Sequence, residues 1–377
     1  MSRNHLQCRC GRRYLPRPGD EGRTIRCRCG ALIPIPVSGK RITYPIPLSR
    51  KYQRLADTLI WGYLAGVVVA VGLLWGLGDH WWPATVLLYG PRWFLAPVLG
   101  VTLVIALLFR PRLLGAVIVS GLLLWGPWLG GRWSFSGSSS SDALGSLRLI
   151  TFNMMGGGNT TPEVVIPGLL RFRPDVIGIQ ECNIEALDTT SLPRDWTLHT
   201  HSRLCFLSRL PVDSVVALEE VRTALEGGTG TAVLYRMIID AKSLWVGVLH
   251  LETARKGMER LRASGDLASM NRNILIRQSG ASRASTWLSR NAPDGIYLGD
   301  FNMPVESRIY RRNWASCQNA FSVAGRGFGY TRFLPQFSIR IDHVLSCGDA
   351  PIPTSAVVGP DLGSDHRPLI VDYRWRM

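Results

Sequence analysis

Six short polar motifs, each at or just beyond the end of an apolar run, constrain this chain more than any other feature. The apolar runs cover residues 147–150, 176–179, 244–249, 296–298 and 339–345, and their length and composition predict strands. The motifs are Thr151-Phe152-Asn153, Gln180-Glu181, His250, Gly299-Asp300-Phe301-Asn302, Arg340-Ile341-Asp342-His343 and Ser364-Asp365-His366. Because neighbouring strands end at one rim of a sheet, we expect these carboxylates, carboxamides and imidazoles to converge on one site. Such a set suits a metal, an activated water and a phosphate.

The order, residue types and spacing of the motifs resemble the endonuclease/exonuclease/phosphatase superfamily. Its members include DNase I-like nucleases, neutral sphingomyelinases and inositol polyphosphate phosphatases, and the resemblance covers residues 147–377. A lone Gly-Asp or Ser-Asp-His would be a weak signal, since both occur in ordinary turns. The resemblance implies an α/β fold, a DNase I-like four-layer sandwich in which helices flank two packed β-sheets. It also implies a hydrolase of phosphoester bonds that requires Mg²⁺ or Mn²⁺.

The acidic and amide motif residues have distinct predicted roles. Glu181 is the leading metal ligand, because a carboxylate behind a buried strand supplies the hard oxygen that Mg²⁺ prefers. The resemblance adds Asn153 to the metal site and places Asp365 near the metal. By the same resemblance, Asp300 orients or deprotonates the attacking water and Asn302 holds the phosphate.

The motif histidines divide by their position on the strands. His366 can pair with Asp342 and serve as a phosphate-binding cation or a general acid. His250 matches a histidine that the nuclease and sphingomyelinase branches carry at this strand end, where it contacts the phosphate or the leaving group. His343 follows Asp342 on a strand, so we expect it to face the other way and to be structural.

Two features at the rim of the expected site have more than one interpretation. Arg340 lines the rim or makes a structural ion pair, and its sequence context favours neither. The run Gly156-Gly157-Gly158 lacks the helix start of a phosphate-binding P-loop, and we interpret it as a flexible rim of the site.

Ahead of the motif-bearing domain, residues 58–131 carry almost no charge. Three uncharged runs, 58–78, 93–109 and 113–131, contain 21, 17 and 19 residues, which is enough for three transmembrane helices. The second run could extend back through Pro91 toward Trp82. A buried helical bundle is the alternative, but three such runs in succession, with tryptophans near their ends, favour a membrane.

Charges beside these runs predict the orientation of the chain. The net charge is +16 with a pI near 10, and basic residues crowd the segment 1–54, including the juxtamembrane segment 41–57. Lysine and arginine beside a span favour the cytoplasm, so the N-terminus and the loop Arg110-Pro111-Arg112 should lie inside. We therefore expect a multi-pass protein of the cell membrane with an extracytoplasmic catalytic domain. A Ser/Gly-rich linker, 132–146, would keep that domain close to the bilayer.

Four of the eight cysteines form two Cys-x-Cys-Gly knuckles near the N-terminus: Cys8, Cys10, Cys27 and Cys29. Four thiolates suit a structural Zn²⁺, so residues 1–40 resemble a small zinc ribbon, although one residue rather than two separates each pair. The alternative is an unstructured basic tail with incidental cysteines.

The other four cysteines are scattered through the catalytic domain: Cys182, Cys205, Cys317 and Cys347. Two disulfides would suit an extracytoplasmic domain. We nevertheless expect these residues to be unpaired and buried as small apolar side chains.

Three functional hypotheses follow. A three-span anchor before a minimal catalytic domain resembles the bacterial membrane phosphatases related to vancomycin and teicoplanin resistance. That resemblance implies a lipid-linked phosphoester or pyrophosphate substrate, such as a polyprenyl pyrophosphate. The second hypothesis is a membrane-tethered nuclease, but much of the positive charge precedes the membrane and no aromatic-rich basic insertion marks a nucleic-acid groove. The third, a non-catalytic sensor, conflicts with the intact motif set.

Overall fold

The computed structural model describes residues 6–8, 10–15, 20, 22–35, 50–134, 146–154, 162–182, 190, 192–218, 222–223, 227–228, 231–239 and 242–374. Gly156-Gly157-Gly158, residues 41–49 of the juxtamembrane segment and residues 135–145 of the predicted linker lie outside these ranges.

The described residues form helices and strands along most of their length. The α-helices are α1 (Arg50–Gly76), α2 (Trp82–Tyr89), α3 (Leu95–Phe109), α4 (Leu114–Leu123), α5 (Pro162–Leu170), α6 (Arg255–Ser264), α7 (Leu267–Asn291), α8 (Arg308–Trp314) and α9 (Ala320–Ala324). The strands are β1 (Leu6–Gln7), β2 (Arg13–Tyr14), β3 (Thr24–Arg26), β4 (Leu32–Pro34), β5 (Arg132–Trp133), β6 (Ser146–Asn153), β7 (Val176–Gln180), β8 (Thr197–His201), β9 (Leu204–Ser208), β10 (Val212–Ala217), β11 (Arg222–Thr223), β12 (Gly227–Gly228), β13 (Thr231–Ile239), β14 (Lys242–His250), β15 (Ile296–Asp300), β16 (Gln318–Asn319), β17 (Arg326–Gly327), β18 (Arg332–Phe333), β19 (Ser338–Ile339), β20 (Asp342–Ser346), β21 (Pro353–Val358) and β22 (Leu369–Arg374).

Two six-stranded mixed sheets build the catalytic domain. Their strand orders are β21-β22-β6-β7-β9-β8 and β10-β13-β14-β15-β20-β16. Side chains from the facing sides interdigitate, and the rings of Phe206 and Tyr235, one from each sheet, stack at 3.9 Å. Helix α5 covers the outer face of the first sheet, and α7 covers that of the second with Ala281, Ala284 and Leu288. This four-layer arrangement confirms the expected DNase I-like sandwich.

Strand register brings the polar motifs to one rim. Each sheet contains one parallel pair, β6 with β7 and β14 with β15, and the carboxyl ends of both pairs carry motif residues. His250 lies opposite Asp300 across the parallel pair, and Asp342 lies opposite Asp300 on the antiparallel neighbour β20. Gly299 is needed for this approach, because its φ is +149° and a Cβ would lie 1.9 Å from the carbonyl oxygen of Leu249.

Three helical segments are long and apolar enough to cross a membrane: Arg50–Gly76, Arg92–Phe109 and Pro111–Trp128. Their apolar side chains point outward, with Val69, Leu107 and Leu122 exposed by 60%, 56% and 65%. A soluble helical bundle would bury these side chains, so the outward apolar surface argues for membrane association. Helix α2 is a separate short helix, ending before Pro91, rather than an extension of the second segment.

The helical segments and the sandwich share one hydrophobic core. Leu74, Tyr89 and Trp128 pack in the same cluster as Phe301 and Trp314 of the catalytic domain. The first two residues of the predicted linker, Arg132 and Trp133, form β5 and pair with β17 of the catalytic domain. The domain is therefore packed on the helix ends and does not hang from the predicted linker alone.

The expectation of four unpaired cysteines in the catalytic domain was wrong, because the structure contains two disulfides, Cys182–Cys205 and Cys317–Cys347. The partners are 23 and 30 residues apart in the chain, and strand pairing brings them together. Cys182 follows β7 and Cys205 lies on its neighbour β9, whereas Cys317 and Cys347 flank the paired strands β16 and β20. Scattered spacing contains no information about which strands pair.

Candidate active site

One cleft of about 320 Å³ collects residues from the ends of both sheets. It is lined by Glu181, Ser202, Arg203, Thr231, His250, Leu251, Glu252, Thr253, Arg255, Lys256, Asp300, Asn302, Arg332 and His366. The structure thus brings together predicted residues that lie up to 185 positions apart in the chain.

Asp300 is the centre of this arrangement and is almost fully buried at 1% exposure. Its Oδ2 accepts a hydrogen bond from Asn153 Nδ2 at 2.9 Å, and its Oδ1 accepts one from the backbone amide of Asn302 at 2.7 Å. The Nε2 atoms of His250 and His366 lie 3.8 and 3.9 Å from Oδ2. Burial, and then the charge of Asp342, raise the pKa of the Asp300 carboxyl. A carboxylate with a raised pKa is suited to accept a proton near neutral pH.

His366 and Asp342 form the predicted pair, with 2.8 Å between Nδ1 and Oδ2. Burial alone would lower the pKa of His366, but Asp342, with Asp300 and Asp365, raises it to about 9. Burial likewise opposes ionisation of Asp342, yet its pKa is lowered by the His366 charge. The imidazolium is thus favoured at neutral pH, with Nε2 directed toward Asp300.

Ser364 holds His366 in place, a function that the sequence analysis missed. Its Oγ donates to the carbonyl oxygen of Asn153 at 2.8 Å and accepts from the backbone amide of His366 at 3.1 Å. The available signal was the serine two residues before the histidine, because a serine hydroxyl often accepts a hydrogen bond from the backbone amide two residues later.

Glu181 and Asn302 lie in left-handed backbone conformations, both with φ of +52°. Residues other than glycine rarely adopt this region, and such strain often accompanies functional positions. Glu181 Oε1 lies 3.3 Å from Asn153 Nδ2 and 3.9 Å from His250 Nε2, while Oε2 lies 3.8 Å from Arg203. Asn302 Nδ2 donates to the carbonyl oxygen of Leu251 at 2.8 Å. A second N–H of that amide remains for a phosphate oxygen.

The donor set fits a hard divalent cation at Glu181. The Glu181 side chain is 27% exposed and lines the cleft. His250 Nε2 lies 3.9 Å from Glu181 Oε1 and 3.8 Å from Asp300 Oδ2, so two carboxylates concentrate negative charge around it. Asp300, Asp342 and His366 also offer donor atoms within 4.8 Å of one another. His366, however, is a poor ligand while protonated. Glu181 with Asn153 therefore remains the predicted ligand set for Mg²⁺.

Asp365 has a partner that the sequence did not indicate. Its Oδ2 accepts from Arg332 Nε at 2.9 Å, and its Oδ1 lies 3.7 Å from His366 Nε2. Arg332 itself lines the cleft. Asp365 thus orients a cleft arginine, and the prediction that it lies near the metal stays untested.

His343 lies on the opposite side of β20 from the cleft, as its strand position predicts. Its Nε2 donates to the carbonyl oxygen of Met303 at 2.9 Å, and its Nδ1 lies 3.1 Å from Asn319 Nδ2. The rings of Phe301 and Tyr310 enclose it at 5.3 and 5.0 Å. Burial, with the nearby Arg340, lowers the pKa of His343 to about 3. The imidazole is neutral and fully hydrogen-bonded.

The sequence analysis also gave no clear indication of a buried ionic cluster next to residues 301–307, which follow β15 and are called the catalytic loop. Asp79, in the segment between the first two apolar helices, accepts hydrogen bonds from Arg277, Ser307 Oγ and the amide of Ile309, and it is fully buried. Tyr89, which contacts Arg277, donates to the carbonyl oxygen of Asn302 at 3.2 Å. A lone carboxylate in an almost uncharged segment was the available signal, because burying it requires partners.

Comparison with known proteins identifies the family of this domain. The model of the Endonuclease/Exonuclease/phosphatase family matches residues 150–366. Structural neighbours include a protein from Leptotrichia buccalis in the same family (12% identity, TM-score 0.44, covering 61% of this chain and 100% of that one) and the human Nocturnin catalytic domain with bound sulfate (15%, 0.43, 62% and 94%). A protein of unknown function from Enterococcus faecalis is also similar (14%, 0.46, 61% and 100%). No curated protein was found to match the chain. Because the family match spans more than half of the chain, and its motif residues meet in one cleft, the chain belongs to the endonuclease/exonuclease/phosphatase family of phosphoester hydrolases.

Proposed function

We propose that the protein is a divalent-metal-dependent hydrolase that acts on a lipid-linked phosphoester or pyrophosphate, such as a polyprenyl pyrophosphate, at the membrane surface. The observation that carries this proposal is the hydrogen bond from Tyr89 to the carbonyl oxygen of Asn302. Tyr89 precedes the second apolar segment by three residues, so the catalytic loop lies next to a membrane entry point. A cleft so close to the bilayer surface reaches lipid headgroups more readily than polymers in solution.

The cleft residues divide the chemistry among them. Glu181 and Asn153 would hold a Mg²⁺, which when bound would supply Lewis-acid stabilisation of the phosphate oxygens. Asp300 accepts the proton of the attacking water, since burial raises its pKa. His366, held by Asp342, places a positive Nε2–H beside the phosphate, where charge develops in the transition state. His250 and the second N–H of Asn302 orient the phosphate oxygens.

The distribution of cysteines supports an extracytoplasmic catalytic domain. All four described cysteines after the third apolar segment are in disulfides, whereas the four before the first segment are free thiols. Disulfides persist in oxidising compartments and free thiols in the cytoplasm. This division agrees with the charge bias, which predicts a cytoplasmic N-terminus.

We further propose that the free thiols bind one structural Zn²⁺. Their four Sγ atoms lie within 4.8 Å of one another, between the hairpins β1–β2 and β3–β4. The backbone amide of Cys29, followed by the hydroxyl of Tyr14, lowers the pKa of Cys27 to about 6. A thiolate at neutral pH is the form that Zn²⁺ binds. Elemental analysis of the purified full-length protein tests this, with one zinc per chain expected and none in a Cys27→Ser, Cys29→Ser variant.

Phosphate release by the purified protein in detergent tests the catalytic proposal. Substrates are a polyprenyl pyrophosphate, a phospholipid and DNA, each with Mg²⁺ and with a chelator. We expect Mg²⁺-dependent release from the prenyl substrate, a fall of about 10²–10⁴-fold in Asp300→Asn, and retained release from His343→Gln in folded protein. Cleavage of DNA at a higher kcat/KM than the lipid would instead support the tethered nuclease.

A further inference from the structure

A second pocket lies where the apolar helices meet the catalytic domain, apart from the cleft. Its volume is about 240 Å³. It is lined by Arg92, Trp93, Leu129, Gly130, Pro304, Glu306, Phe328, Tyr330, Phe337, Ser338, Ile339 and Arg340. Arg92 and Trp93 begin the second apolar segment, and Leu129 follows the third, so we call this the junction pocket.

The junction pocket contains a buried cation with an unsatisfied donor. Arg340 is 4% exposed, and its Nη1 has no hydrogen-bond partner among the described residues. Its guanidinium lies 4.8 Å above the Phe321 ring, a contact that supplies no acceptor for Nη1. A buried donor without an acceptor is costly, and for a charged group the cost is larger.

The surroundings of Arg340 do not balance its charge. Glu306, the carboxylate that lines the pocket, is paired with Arg92 at 3.5 Å. Burial is the main cause that lowers the pKa of Arg340; Glu306 opposes this shift and Arg132 adds to it. The Nε of Arg132 is itself buried without a partner in the described part of the chain. One carboxylate, Glu306, thus serves Arg92, Arg132 and Arg340, which leaves excess positive charge beside an aromatic-lined cavity. An anion with several acceptor oxygens would satisfy Arg340 Nη1 and offset this excess charge.

We infer that the junction pocket binds the headgroup phosphate of an anionic phospholipid, with Arg340 as its principal ligand. The lipid source follows from position, because the pocket lies beside two membrane entry points. Trp93, 54% exposed at its edge, is the side chain type that occupies the headgroup layer. A guanidinium binds the phosphate of such a headgroup through charge-assisted hydrogen bonds. The inference depends on the membrane location but not on the catalytic proposal.

Thermal unfolding of the full chain in neutral detergent tests the inference. We expect phosphatidylglycerol to raise Tm by about 5 °C at saturating concentration, and phosphatidylcholine and inorganic phosphate to have little effect. Arg340→Gln should remove at least half of the phosphatidylglycerol shift. The matched control is Arg236→Gln, because Arg236 also lies over a ring, that of Trp245, but its side chain is 42% exposed and lies outside the pocket.

Three outcomes would overturn the inference. These are an undiminished phosphatidylglycerol shift in folded Arg340→Gln, an equal shift with phosphatidylcholine, and an equal shift with inorganic phosphate, which would indicate a free-anion site. If Arg340→Gln does not fold, Ser338→Glu provides the second test. A carboxylate at this lining position should raise Tm without lipid and abolish the phosphatidylglycerol shift, whereas a full shift in this variant would contradict the assignment.

Discussion

Asp79 and Asp300 are both buried carboxylates, yet their surroundings differ in a way that separates support from chemistry. Asp79 is saturated, because an arginine, a hydroxyl and a backbone amide all donate to it within 3.1 Å. Asp300 accepts from two neutral amides, Asn153 Nδ2 and the backbone of Asn302, and it borders an open cleft. The nearest imidazole nitrogens lie at 3.8 and 3.9 Å, too far for hydrogen bonds. A carboxylate bonded to a buried arginine stabilises the fold, whereas one that faces its cations across a gap keeps room for water and substrate.

The two sites are joined physically. Tyr89 contacts Arg277 of the Asp79 cluster and donates to the carbonyl oxygen of Asn302, which lies two residues after Asp300. The junction between the apolar helices and the catalytic domain therefore supports the loop that carries the predicted phosphate-binding amide.

The largest expected effect is that of Asp300→Asn. The carboxamide keeps the shape and can still accept from the amide of Asn302, but it cannot take a proton, so kcat should fall by about 10²–10⁴-fold. Because the buried negative charge beside Asp342 is removed, Tm should stay the same or rise. Steady-state kinetics and thermal unfolding would measure both, and a large fall in Tm would mean that Asp300 is structural.

Asp79→Ala should show the reverse pattern. Removal of this partner leaves Arg277 buried and uncompensated, which typically costs about 3–5 kcal/mol of stability. Thermal inactivation in detergent would register the loss. If protein that survives purification unfolds at the wild-type temperature, the Asp79 cluster does not hold the junction together.

Tyr89→Phe tests the connection between the two sites. It removes the hydroxyl that donates to the Asn302 carbonyl and accepts from Arg277, and loss of each such bond costs about 1 kcal/mol or more. We expect a several-fold fall in kcat together with a fall in Tm. Thr85→Val, which removes a hydroxyl that donates to the carbonyl oxygen of Trp81 just before α2, is the control and should leave kcat unchanged.

His343 should produce a pH dependence of stability that is confined to acidic pH. Its pKa is about 3 in the folded protein against 6.5 ordinarily, so between these values the unfolded chain binds more protons. Stability should therefore fall as pH drops from 6.5 toward 3, by at most about 1.4 kcal/mol per pH unit, and be unaffected by this group above 6.5. In His343→Gln the slope of Tm against pH should be shallower in that window. An unchanged slope would mean that His343 titrates normally.

Much of the active site was predictable because its chemistry is local. Glu181 and Asp300 stand at strand ends and His366 lies three residues before β22, and residue type with strand position was enough to assign them to one rim. Strand position also separated His343 from Asp342, since alternate residues on a strand face opposite sides. The Asp365–Arg332 pair was not predictable, because nothing in the sequence indicates that β18 lies beside the Ser-Asp-His motif.

The disulfides and the Asp79 cluster depended on contacts between distant segments. Asp79 and Arg277 are 198 residues apart, and only the packing of α2 against α7, and of residues 78–80 against α8, brings them together. The sequence alone determined the family, the strand-end residues, the three apolar helices and the cysteine knuckles, because each depends on short-range pattern. Tertiary structure alone decided how the helices and the catalytic domain share a core, and where Arg340 lies. A buried charge is recognised by its partners, and those are set by packing rather than by sequence spacing.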